Sequence, residues 1–232
     1  MNKKTLLISL GAIAILAAVY CGYALFFAPT RVALVHFPAY QVSNFVLAND
    51  NRNIRVENVE ADKASTLARY DAVLVFGPGF RPTEAQAKAI EKAEKKGVPV
   101  HSFVFESSSV KGDNLSDAQP EMLDTYYENR SRINFGNMLK YVRTEFDRRK
   151  LFRGEAREPA IIPSDILYYL EEDTFFRTAE ELTGYLKQKG HYKEGAPRIA
   201  LLSGSTSPLE GNRAYIDSLI TGFSHSGFNV YP

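Results

Sequence analysis

Cysteine is almost missing from this sequence, with Cys21 the only one. An intramolecular disulfide and a cysteine-built zinc site are therefore excluded. A surplus of either charge is missing too. Lys and Arg number 28 against 27 Asp and Glu, a net charge of +1, so neither a basic face for nucleic acid nor an acidic tail is present. No nucleic-acid partner is expected. Familiar motifs are lacking as well. "GSTSPLEGN" has no Gly-Lys-Ser/Thr end to hold phosphates, and no GxGxxG follows a strand. HExxH and GxSxG are absent, and His36, His101, His191 and His225 are scattered.

What is present begins with "TLLISLGAIAILAAVYCGYALFF", Thr5 to Phe27, a stretch without a charge. At about 1.5 Å per residue it is long enough for a hydrocarbon core of roughly 30 Å. Lys3 and Lys4 precede it, which places the N-terminus in the cytoplasm and the rest outside, facing the periplasm. A cleaved signal peptide has a shorter apolar core and a small-x-small cleavage site, but here the run ends in Phe26 and Phe27. A lipoprotein needs small residues before its cysteine, and Tyr20 precedes Cys21. The expectation is an uncleaved single-pass anchor in the inner membrane, with Cys21 a small apolar residue in lipid.

Beyond the anchor, strands and helices alternate. Val32–Val35, Asn53–Val59, Asp71–Gly77 and Val98–Phe105 read as strands. "QVSNFVLA", "KASTLARY" and "PTEAQAKAIEKAEKKG" read as the helices between them, the last with Thr83 and Gln86 as a capping box and Gly97 as its stop. This alternation predicts a parallel α/β sheet. Ser107–Ser131 is a polar connection with a short helix near Glu121–Glu128. Phe135, Met138, Leu139, Val142 and Phe146 then make the apolar stripe of a longer helix. "GEAREPAIIPSD" and "HYKEGAP" are linkers around a helix over Thr178–Gly190, boxed by Thr178 and Glu181. "RIALLSG", a helix around Ile216–Phe223 and "FNVYP" open a second α/β domain that stops early. The expected divisions are 1–29 for the cytoplasmic tip and anchor, 30–158 for the first α/β domain with a helical insert, 159–197 for a linker and helix, and 198–232 for the start of a second α/β domain. A longer polypeptide is expected to complete it.

In parallel sheets, ligands bind beyond the C-terminal strand ends. Four loops qualify: "HFPAYQ", "GPGFRP", "ESSS" and "SGSTSP". "GPGF" reads first as a tight turn, and "ESSS" as a solvated loop. His36, Tyr40 and Gln41 are the candidate ligand-lining residues. For His36 the plain alternative is a satisfied histidine at a strand end, and for Tyr40 an amphipathic packing residue. Glu171-Glu172-Asp173 reads as solvated surface rather than a metal site. Tyr126–Tyr127 and Tyr168–Tyr169 read as core, with ring stacking the alternative.

"RVALVHFPAYQVSNFVLANDN" and "APRIALLSGSTSPLEGNRAYIDSLITGFSHSGFNVYP" resemble segments of the cobaltochelatase large subunit and magnesium chelatase H subunit family. The "FGNML" helix at Phe135–Leu139 is similar to an Asn-containing helix of that family. The resemblance covers most of Arg31–Pro232, loosely in the middle. The family's Gly-x-Tyr-His-Pro segment has its counterpart at "DILYYLEED", which lacks His-Pro, so no role of that histidine carries over.

The resemblance implies a very large subunit that handles a tetrapyrrole, with a metal ion (Fe, Co or Mg) as substrate or product and metal-handling residues in later domains. No catalytic residue and no metal ligand of the family maps onto this chain. An anchored, exported domain lacks the ATP supply of the soluble members. It is therefore more similar to a membrane-anchored haem-dechelatase type, with haem-uptake partners implied. The alternatives are an ATP-dependent cobaltochelatase subunit of cobalamin synthesis and a membrane-tethered binding module without catalysis.

Overall fold

The computed structural model describes residues 3–103, 114–116, 118–147, 149, 154–163, 165–170, 174–202, 207–211 and 213–232. "ESSS", the acidic trio at 171–173 and most of "SGSTSP" fall outside them. The chain divides into two compact units. One comprises Met1–His36, Asp50–Ser116 and Leu139–Arg157, the other Phe37–Asn49, Asp117–Met138 and Glu158–Pro232.

The first unit opens with helix α1, Lys3–Gly22, which loosens into a π-helical turn over Tyr23–Phe27. Leu10–Phe27 is long and apolar enough to cross a membrane, as the sequence predicts. A signal sequence at the N-terminus has the same character. Strand β1, Thr30–Val35, follows after two residues. It lies between β2, Ile54–Asn58, and β3, Ala72–Phe76, and β3 pairs with β4, Val100–Phe103. All pairings are parallel, in the order β2-β1-β3-β4. Four of the six β1 residues are apolar and buried, Val32 to Val35, which suits a strand covered on both faces.

Between β2 and β3 the expected helix is a 3-10 helix, Ala61–Arg69. Three residues per turn put Ala64 and Leu67 on one line, and both join the core with Val73, Val75, Ile90 and Ala93. Helix α3, Glu84–Lys95, has the predicted box: Gln86 N–H donates to Thr83 Oγ1 at 3.2 Å, and Thr83 N–H to Gln86 Oε1 at 2.9 Å.

A buried ionic network ties the N-terminal ends of the strands. Arg143, fully buried, donates to Thr30 Oγ1 at 2.5 Å and to the Asn53 carbonyl at 2.8 Å. It also pairs with Asp147 at 3.4 Å, and Thr30 donates to the same carboxylate. Arg149 pairs with Asp147 at 2.9 Å and Asp71 at 2.5 Å, and donates to the carbonyls of Ala28 and Pro29 at 3.1 Å each.

The second unit contains α2, Ala39–Ala48, and α4, Ala118–Glu128. It also takes the first half of α5, Arg132–Glu145, whose residues from Leu139 belong to the first unit. Phe45 stacks on Phe135 at 4.2 Å. A Cβ at Gly136 would stand 2.8 Å from the Ala48 carbonyl oxygen, so the "FGN" glycine permits this close helix contact. Fully buried Asn134 bonds both the N–H and the carbonyl of Ala160, at 2.9 and 2.8 Å. Asn129 accepts from Ile162 N–H at 2.8 Å. The first linker is thus clamped by two asparagine side chains.

The rest of this unit is a small antiparallel pair, β5 Leu167–Tyr168 with β6 Phe175–Phe176, then α6, Ala179–Gln188. A parallel pair completes it, β7 Arg198–Ala200 with β8 Asn229–Tyr231, joined through the short α7, Ser207–Glu210, and α8, Ala214–His225. Tyr168, Leu182, Leu186, Ile216, Ile220 and Val230 form its core. At α6 the expected box is half made. Glu181 N–H donates to Thr178 Oγ1 at 3.2 Å, but the Glu181 carboxylate accepts from Arg177 N–H at 2.7 Å.

Candidate functional site

The order β2-β1-β3-β4 puts the topological switch between β1 and β3, where the connections leaving their C-terminal ends diverge. His36 stands at the end of β1. Its φ of +63° lies in the left-handed region, rare outside glycine. Its exposed ring lies 5.2 Å from that of Phe80 and 6.2 Å from that of Phe76. Phe80 closes the "GPGF" turn, donating its N–H to the Gly77 carbonyl at 3.0 Å, with Gly79 at φ +70°. Pro then Gly at the centre is the residue order of a type II turn. In the first unit the structure therefore groups His36 with Phe76, Phe80 and the "GPGF" turn.

Tyr40 and Gln41 belong to the second unit and touch. Gln41 is buried, and its Nε2 donates to the Tyr40 hydroxyl at 3.3 Å. Its Oε1 accepts from the Tyr127 hydroxyl at 3.0 Å. Arg130 lies over the Tyr127 ring, 5.2 Å from its centroid, and its Nε bonds Glu210 Oε1 at 2.9 Å. A chain of contacts therefore runs from Tyr40 through Gln41, Tyr127 and Arg130 to Glu210. Asn44, on α2 with Tyr40 and Gln41, completes the cluster, since a Cβ on Gly211 would sit 3.4 Å from its Oδ1. Asn44 and Glu210 are only 5% and 4% exposed. Asn44 Nδ2 and Glu210 Oε2 have no hydrogen-bond partner among the described residues. Buried polar atoms of this kind normally find one.

Electrostatics match the geometry. Burial pushes the Tyr127 phenol up, outweighing the Gln41 bond and the nearby Arg130, so this hydroxyl stays a donor. Burial works against the charge of Arg130, but Glu210 overrides it and the guanidinium is held more firmly protonated. Tyr40 contributes to the field at both Tyr127 and Arg130.

Sequence reasoning singled out Tyr40 and Gln41 but missed Arg130, Glu210 and Asn44, and took Tyr127 as core. Tyr127 is core, and also a hydrogen-bond donor to Gln41. Arg130 and Glu210 lie 80 positions apart, so no local spacing announces the pair. No group of three or more His, Cys, Asp or Glu that could hold a metal ion occurs among the described residues.

Comparison with known proteins adds a family likeness for part of the chain. Residues 124–232 match the family model described as CobN/Magnesium Chelatase. This segment is similar to the CobN/magnesium chelatase family. It carries Tyr127, Arg130 and Glu210, half of the cluster, and the Asn134 clamp, while Tyr40, Gln41 and Asn44 lie before it. A solved structure of the catalytic subunit of cobaltochelatase from Mycobacterium tuberculosis is similar in fold, with a TM-score of 0.54 at 17% identity. The likeness covers 88% of this chain, which spans 16% of the length of that structure. No curated protein matches the chain.

Proposed function

We propose that this chain acts within a tetrapyrrole metal chelatase, carrying a metal ion into or out of a porphyrin or corrin ring. The observation that carries this reading is the CobN/magnesium chelatase segment at 124–232, supported by the cobaltochelatase-like fold around it. Tetrapyrrole is the substrate, and the metal ion is substrate or product. His36, Tyr40 and Gln41 are proposed to line the ligand's path.

The apolar helix refines the reading. Leu10–Phe27 has the length and composition of a membrane span, and Lys3 and Lys4 before it favour an outward-facing remainder. A periplasmic chelatase-type domain has no ATP at hand. Removal of iron from haem is then the favoured direction, in company with haem-uptake components. Two measurements test this. Membranes carrying the full chain, incubated with haem, should lose the haem spectrum and gain free-porphyrin fluorescence without added ATP. Protease added outside spheroplasts should cleave Arg31–Pro232, and protection of that region would end the periplasmic reading.

A second reading is an ATP-dependent cobaltochelatase subunit, favoured by the likeness in fold to the cobaltochelatase catalytic subunit. It requires the domain in the cytoplasm and a turnover that stops when ATP is withheld.

A further inference from the structure

The cluster behind Tyr40 presents donors. The Gln41 amide is fixed by Tyr127, which donates to its Oε1, so its Nε2 points at the Tyr40 hydroxyl. That hydroxyl already accepts a hydrogen bond, and its own proton is left to donate elsewhere. Tyr40 is 46% exposed, so the proton is offered at the surface. Arg130 is fixed in the same way. Its Nε is held by buried Glu210 and its face by the Tyr127 ring. The side chain is still 32% exposed. Its two Nη groups make no hydrogen bond among the described residues, and they form the edge that meets carboxylates two-pronged.

We propose that Arg130 and Tyr40 together seat a carboxylate on the rim of the ligand, with Gln41, Tyr127 and Glu210 as positioning residues. On the tetrapyrrole reading above, that group is an acetate or propionate side chain of the ring, and the proposal rests on that reading for the ligand's identity. Glu210 does not argue against an anion here. Its charge is neutralised through Nε, and its side chain is 3% exposed. The pair is neutral as a whole, so selectivity comes from fixed geometry rather than from a strong attractive field. Asn44 Nδ2 and Glu210 Oε2, one buried donor and one buried acceptor, are without a partner among the described residues, so the selectivity for an anion rests on Arg130 and Tyr40 alone.

The experiment uses the full chain in detergent micelles, titrated with three probes: glutarate followed by NMR, and coproporphyrin and its methyl ester followed by fluorescence quenching. Tyr40→Phe removes a surface hydroxyl and leaves the fold intact, as thermal melting should verify. Arg130→Lys keeps the charge and loses the fork. Each should weaken glutarate and coproporphyrin about tenfold, the weight of one hydrogen bond to a charged group. The ester should be unmoved by either variant. If coproporphyrin binds and neither variant weakens it, the carboxylate seat is overturned while the tetrapyrrole reading stands. If glutarate shows the tenfold losses but neither porphyrin form binds, the seat stands and the tetrapyrrole reading fails. If glutarate also fails to bind, the seat itself is overturned.

Discussion

Single side chains in this chain divide into those that hold other side chains and those that titrate. Tyr127 is of the first kind. Replacing it with Phe leaves Gln41 Oε1 buried without its donor, which should cost about 1–3 kcal/mol of unfolding free energy by urea titration. Glu57 is of the second kind. Arg31 bonds it at 3.1 Å and Tyr70 at 2.8 Å. The Arg31 bond, against the opposing effect of burial, holds the carboxyl below the ordinary range. A carboxyl lowered in the folded state adds stability above its unfolded value, and that stability is lost as pH falls through the folded value. Glu57→Gln should therefore flatten the decline of stability below roughly pH 4.3 and leave the neutral plateau nearly as flat as before. Melting temperature against pH checks it, and an unchanged acid limb would count against the assignment.

At the level of elements, much was legible. Thr83 and Gln86 announce α3 because a cap is a local arrangement between residues three apart. Thr83→Ala should lower stability by about 1 kcal/mol, seen in chemical denaturation. The two central strands, β1 and β3, were legible as apolar runs because burial on both faces leaves few choices of residue. Tyr40 and Gln41 could be picked out because strand-end loops are where such sheets meet ligands. Gly136 was not legible. It reads as a weak spot in a good helix, yet a Cβ there would press on the Ala48 carbonyl oxygen from 88 residues earlier. Gly136→Ala should destabilise despite its better helix propensity, and a stabilised variant would show that the helices part easily. The half-made box at Thr178 was not legible either, because the choice between Arg177 and Thr178 as donor is made by side-chain geometry.

For the molecule as a whole, the long-range ionic contacts were the hidden part. "YVRTEFDRRK" looks like a solvated, charged helix end, yet Arg143 and Asp147 are 0% and 1% exposed. Their partners Thr30 and Asn53 come from more than 80 residues away, a distance at which sequence carries no periodic signal. Asp147→Ala would leave buried guanidinium charge uncompensated and should cost roughly 3–5 kcal/mol. A loss under about 1 kcal/mol in denaturant titration would place the network at the surface instead. Arg149 extends this network to the first peptide carbonyls after the apolar helix, those of Ala28 and Pro29. Only those two residues separate the helix from β1, too few for a swivel. With α1 in a bilayer, the first unit would behave mechanically as a short rigid lever: thermal tilt of the helix would pass directly into the sheet, and the height of His36 above the lipid would be set by covalent geometry instead of sampled.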